Sequence, residues 1–159
     1  MDQFTRRIVG FAVHAGDVDG PTLCRMFNQI IARSTLPLRI STDHSPLFEF
    51  HRWQANLRIL EIDEVKTVPY VPLSHPFVER LIGTVRREFL DHVLFWNSVD
   101  LERKLTAFKN YYNGTRVHAS LDGTTPIEAG GQSATWRADI SHFAWQSHCH
   151  GLVHLPIAA

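Results

Sequence analysis

The sequence predicts an α/β fold with a mainly parallel sheet, and three observations carry that prediction. Short β-branched runs alternate with segments whose apolar residues recur at helical spacing. Gly, Pro, Ser and Asp punctuate most of the changes between them. No internal repeat or low-complexity tract competes with the pattern. In a sheet of this kind a ligand site lies at the carboxyl ends of the strands.

Ile8–Ala15 is apolar and β-branched and reads as the first strand, ending at Gly16. Asp19 then offers a cap and Pro21 suits a first helical turn. Leu23, Met26, Phe27, Ile30 and Ile31 share one face of the helix that follows, to about Ser34. Pro37–Ser41 is a short strand that delivers Thr42-Asp43-His44 to its carboxyl end. Pro46–Asn56 reads as helical, with Phe50, Trp53 and Leu57 on one side, and Ile59–Val68 as extended. Three prolines in Pro69–Pro76 forbid a strand or helix interior there, so an ordered loop is predicted.

From Phe77 a helix is predicted whose buried stripe is Val78, Leu81, Ile82, Val85, Phe89 and Val93. Ser98 is the predicted cap of the next helix, with Asp100 and Glu102 in its first turn and Leu101, Leu105, Phe108 and Tyr112 facing inward. Asn113-Gly114 stops it. Trp53 and Trp96 are both read as core. Beyond Gly130-Gly131 lies a segment rich in Trp and His, so the chain divides into a core over 1–129 and a surface tail over 130–159.

Composition narrows the function. The chain has 159 residues, room for one domain and a short appendage. Hydrophobic residues at 44% and charged ones at 20% are ordinary globular usage, which excludes a disordered protein. Sixteen basic residues balance sixteen acidic ones, so any contact with DNA must come from a local patch. Two cysteines make no disulfide framework, and no run approaches the ~20 apolar residues of a membrane span. The start lacks a signal-peptide core, and a cytoplasmic protein is expected.

Two carboxylates stand out by position. Asp43 ends a strand, where the sheet holds it at the crevice, and Glu79 lies in the first turn of the helix after the proline loop. Arg86 is two turns beyond Glu79 on the same face, with Arg87 beside it. A carboxylate above a pair of cations suits metal-dependent phosphodiester chemistry, the acid holding Mg²⁺ and the arginines the phosphate backbone. An acid favoured by the helix dipole over a solvated Arg face is the plainer reading of the same spacing.

The motifs Thr42-Asp43 after an apolar strand and Pro76-Phe-Val-Glu79-Arg-Leu-Ile-Gly83-Thr-Val-Arg-Arg87 resemble the integrase core of retroviral-type integrases and insertion-sequence transposases. There are 35 residues between Asp43 and Glu79, the gap typical of that family's second and third catalytic acids. Tyr111-Tyr112-Asn113 with Arg116, His118, Leu121 and Thr125-Pro126 is similar to the signature that closes the domain in these transposases. The resemblance spans roughly 1–129.

The resemblance implies an RNase H-like mixed sheet flanked by helices and a triad of two aspartates and a glutamate holding two divalent ions, Mg²⁺ or Mn²⁺. Asp43 and Glu79 would be the catalytic and metal-binding members, and Arg80, Arg86, Arg87, Arg116 and His118 would contact DNA. Strand transfer on transposon ends and target DNA, by a homo-oligomer, is the implied activity. Two positions depart from the family pattern: His44-Ser45 replaces the usual Asn-Gly, and Ile82 replaces an Asn. Asp2-Gln3-Phe4-Thr5-Arg6 resembles the family's second-strand run, so Asp2 is not expected to be the first triad acid. On this reading Ile8–Ala15 is the third strand of the family's sheet, and the family's first strand and most of its second are missing. The sequence therefore leaves open a catalytically inactive fragment that binds DNA or a longer transposase.

Overall fold

In the computed structural model, which describes residues 1–67, 76–132 and 143–158, the first helix begins where its capping residues stand. The Asp19 carboxylate accepts a hydrogen bond from the Thr22 amide at 2.8 Å, and Pro21 occupies the first turn of α1 (Gly20–Ile31). A Cβ at Gly20 would stand 2.2 Å from the Phe50 ring, so the close approach of α1 to that ring requires glycine.

β1 (Arg39–Thr42) and β2 (Asp63–Lys66) pair in parallel, in a register that runs from Arg39–Asp63 to Thr42–Lys66. The predicted helix between them is in two pieces, α2 (Pro46–Glu49) and α3 (His51–Ile59). The break falls at Phe50, whose extended backbone (ψ 129°) turns its ring onto Gly20. Helix α3 continues through Ile59, so the extended stretch predicted from there begins only at Asp63. The predicted proline loop lies outside the described residues except for Pro76, the first residue of α4 (Pro76–Glu88).

Two compact units divide the chain, Val9–Arg80 and the pair of segments Met1–Ile8 and Leu81–Ala159. Trp53, Leu57 and Ile62 form the centre of the first, with Leu23, Phe27, Ile40, Phe48 and Phe50 packed around them. Trp53 is 1% exposed and meets Phe27 edge-on at 5.0 Å. Ile8–Ala15 does not form the predicted strand. No described strand pairs with it, and both peptide groups of Ile8 are taken by the Asn113 side chain, which donates at 3.0 Å and accepts at 2.8 Å.

The second unit is built on Phe89 and Phe108, whose rings lie 5.1 Å apart, with Tyr112 and Pro126 buried beside them. Ile82, predicted in the buried stripe of α4, is 61% exposed. The stripe was drawn through Phe89, which is buried, but α4 ends at Glu88 and Phe89 leaves helical geometry (φ −135°). Thr84 fills the buried position instead.

α5 (Ser98–Gly114) is capped by Asn97, whose side chain accepts from the Asp100 amide, rather than by Ser98. Trp96, expected in the core, is 90% exposed. The segment before α5 is held through polar contacts: the Trp96 amide donates to Asp100, and Lys104 bridges Asp100 and the Leu94 carbonyl. Thr125 and Glu128 form a reciprocal capping box on α6 (Pro126–Ala129).

In the segment beyond Gly131, β3 (Phe143–His148) and β4 (Val153–Ala158) pair as an antiparallel hairpin. The predicted surface tail is anchored there: Cys149, at the hairpin turn, is buried, and the His148 ring lies 5.8 Å from that of Tyr111 in α5. No described helix is long and apolar enough to cross a membrane.

Candidate metal and nucleic-acid site

Asp43 follows the last residue of β1, at the carboxyl end of the parallel pair, and its side chain is exposed. One carboxylate oxygen accepts from the Ser45 amide at 2.9 Å, a local turn that points the chain into α2. The Asp43 carbonyl accepts from the Lys66 ammonium at 3.3 Å. His44 is hydrogen-bonded through Nε2 to the Thr67 carbonyl at 2.7 Å. The carboxyl end of β1 is therefore stitched to that of β2 on both sides of Asp43.

Glu79 is exposed in the first turn of α4, where the helix dipole favours an anion. It belongs to the same compact unit as Asp43. Arg80, Arg86 and Arg87 are exposed on α4 as well. A Cβ at Gly83 would lie 2.9 Å from the Arg87 guanidinium, so that side chain folds back along the helix over the glycine. Asp2 is engaged locally, accepting from the Phe4 amide at 2.9 Å and the Thr5 hydroxyl at 2.6 Å.

The chemistry of Asp43 and Glu79 fits one hard divalent cation, because Mg²⁺ is commonly held by one or two carboxylates together with water and substrate phosphates. Among the described residues no three His, Cys, Asp or Glu side chains are grouped to hold a metal, so the donors for a second ion are not evident there.

Glu64 was missed by the reading of the sequence. Its side chain, 9% exposed, accepts from the Thr42 hydroxyl at 2.6 Å, the Trp53 indole at 3.0 Å and the Gln54 amide at 2.6 Å, and pairs with Lys66 at 3.1 Å. Burial pushes its pKa up, but the four donors together outweigh burial and hold the carboxyl below its ordinary range. The available signal was the alternation in Asp63-Glu64-Val65-Lys66, which puts two charges on one face of the strand.

The closing motif is tied to its own unit. Arg116 makes a two-pronged pair with Glu88, at 2.9 and 2.7 Å, and lies over the Tyr112 ring at 5.5 Å. The His118 ring meets Tyr112 edge-on at 4.8 Å, and the His118 amide donates to the Thr124 carbonyl. Burial, and next the Arg116 cation, lower the His118 pKa below its ordinary 6.5. A folded pKa below the unfolded one means the neutral ring stabilises the fold fully above pH 6.5. That contribution drains as pH falls through the lowered value. Denaturant titrations between pH 8 and 5 are expected to show a stability loss in the native chain that His118→Gln lacks. Parallel curves for the two proteins would refute the assignment.

The chain has the fold of a retroviral integrase catalytic core, an RNase H-like fold. It is similar to the catalytic core domain of BIV integrase, with a TM-score of 0.56 and 24% identity over 72% of each chain. It is similar to a chain of the simian T-cell lymphotropic virus intasome bound to a PP2A regulatory subunit (TM-score 0.61, 19% identity, 90% of this chain and 54% of that one). A third likeness is the HTLV-2 integrase catalytic core domain in complex with magnesium in a trimeric form (TM-score 0.52, 21% identity, 70% and 69%).

Residues 60–126 match the family model described as the integrase core domain, so the family resemblance read from the motifs holds over that segment. An uncharacterized 39.2 kDa protein of insertion element IS476 from Xanthomonas euvesicatoria is 24% identical over 139 residues, 87% of this chain. The chain spans 40% of the length of that curated relative.

Proposed function

We propose that this chain is catalytic-core material of an insertion-sequence transposase, in which Asp43 and Glu79 hold a divalent cation, Mg²⁺ or Mn²⁺, against a DNA phosphodiester. The observation that carries the reading is the position of Asp43 at the carboxyl end of a parallel strand pair, in one compact unit with Glu79. The integrase-core match over 60–126 supports it. A bound cation would activate the attacking oxygen and stabilise the leaving one. The chain's own part is to orient: the Ser45 amide fixes one oxygen of Asp43, Arg80 would neutralise the DNA backbone beside Glu79, and Arg86 and Arg87, further along α4, are proposed to contact DNA as well. Arg116, already paired with Glu88, and His118 would meet DNA only through the faces their partners leave open. The core is proposed to run over 1–129 and to act as a homo-oligomer, in line with the intasome and the trimeric core among its structural neighbours.

The absence of a third grouped acid among the described residues favours a second reading, a core that binds DNA or a longer transposase without cutting. One experiment separates the two: Mn²⁺ titration, followed by incubation with duplex DNA carrying a free 3′ end. Loss of an outer partner of a metal ligand commonly weakens affinity 10–100-fold. Asp43→Asn or Glu79→Gln is therefore expected to weaken Mn²⁺ binding by at least about 10-fold. Strand transfer abolished by either variant supports the first reading. Metal and DNA binding without transfer supports the second, and Mn²⁺ binding indifferent to both variants refutes the site.

A further inference from the structure

We propose that the Glu64–Lys66 pair is a positioning device that holds the turn presenting the Asp43 carboxylate. The inference rests on the reading of Asp43 as a cation ligand. It begins with an inversion in β2. The parallel register places Glu64 opposite Ile40 and Lys66 opposite Thr42, so Glu64 and Lys66 share the face that looks onto Trp53 in α3. Val65, between them, is 50% exposed. The strand thus turns its charges inward and its apolar residue outward, against the usual preference of a half-buried strand.

Stability alone gives a poor account of this. Glu64 is largely withdrawn from water while Lys66 keeps 29% of its side chain exposed, and for a pair with a desolvated member the desolvation cost offsets much of the Coulomb gain. Places where a sequence departs from the local rule tend to be functional. The contacts show what the charges do. Lys66, fixed by Glu64 at 3.1 Å, donates to the carbonyls of Asp43 at 3.3 Å and Phe48 at 3.2 Å. Those two carbonyls lie at the start of the Asp43–Ser45 turn and within α2. Gln54 spans the same gap, donating to both Glu64 at 2.6 Å and the Phe48 carbonyl at 3.0 Å. Thr42, the residue before Asp43, is held by Glu64 itself at 2.6 Å. The Thr42 hydroxyl and the carbonyls of Asp43 and Phe48 are therefore tied, directly or through Lys66 and Gln54, to one carboxylate. Loss of such an outer partner weakens a metal site by 10–100-fold.

Lys66→Met is the informative variant, because Glu64 keeps Thr42, Trp53 and Gln54 as donors and the core is spared. Two readouts are taken on the full chain well below its unfolding transition: amide exchange at Ser45, with Leu57 inside α3 as reference, and Mn²⁺ affinity. The expected result is Ser45 exchange about 10-fold faster with Leu57 unchanged, Mn²⁺ binding about 10-fold weaker, and recovery of both in Lys66→Arg. Glu64→Gln is expected to follow Lys66→Met in direction. Unchanged Ser45 exchange in Lys66→Met, or exchange at Leu57 rising in step with Ser45, overturns the proposal and leaves Glu64 a packing residue. If Asp43→Asn weakens Mn²⁺ binding and Lys66→Met does not, the positioning role fails while the site reading stands. If Mn²⁺ binding ignores Asp43→Asn, the site reading has failed and takes the proposed role with it.

Discussion

Trp53→Ala is expected to remove about 3–5 kcal/mol from the Val9–Arg80 unit, the range for truncating a large buried aromatic. Trp53 is 1% exposed, its ring is contacted by Phe27 at 5.0 Å and Phe48 at 5.3 Å, and its indole N–H is one of four donors to Glu64. The substitution therefore opens a cavity and strips a buried carboxylate of a partner at once. A whole domain is stable by only about 5–15 kcal/mol, so this is a large fraction of what holds the unit folded. Trp53→Phe separates the two effects: most of the ring packing stays, and the lost donor costs about 1–3 kcal/mol. Denaturant unfolding of the three proteins, with exchange at Leu57 and Ile62 as the local probe, checks the ordering. A Trp53→Ala loss below about 1 kcal/mol would contradict the packing described here.

Asn113→Leu carries the second large effect, in the other unit. Asn113 is 4% exposed, and its amide both donates to and accepts from the peptide groups of Ile8, 105 residues away in sequence. Leucine matches its bulk and returns neither hydrogen bond. An unsatisfied buried polar group costs about 1–3 kcal/mol, and two are left, so the expected loss is about 2–6 kcal/mol. Asn113→Asp keeps the acceptor but replaces the donor with a second acceptor oxygen that faces the Ile8 carbonyl, and is expected to be no better. The signature is local: the Ile8 amide becomes exchangeable before α5 melts. Protection of Ile8 unchanged in Asn113→Leu would show that the two segments are held by something else.

That pairing also explains what could be read from the sequence. The Tyr-Asn part of the closing motif was legible as a family signature, but its physical work, an amide side chain clasping a peptide group near the start of the chain, has no local pattern to reveal it. Ile8–Ala15 looked like a strand for the same reason in reverse. Its β-branched composition is real, but a strand exists only where a partner ladder accepts it, and a side chain took the peptide groups of Ile8 instead. Ile82 and Trp96 were placed inside on periodicity and size, and both are exposed because helix ends and loop directions are settled by contacts several residues away.

For the candidate site, local sequence by itself determined the elements that carry the two acids: a short strand ending at Asp43, a proline-led helix starting just before Glu79, and arginines spaced along that helix. Those features follow from propensity, capping and period, which act within a few residues. Only the tertiary structure decided which groups hold them. It drew Arg116 to Glu88 and assembled Thr42, Trp53, Gln54 and Lys66 around Glu64, because a charge leaving water must find its partners wherever the fold brings them.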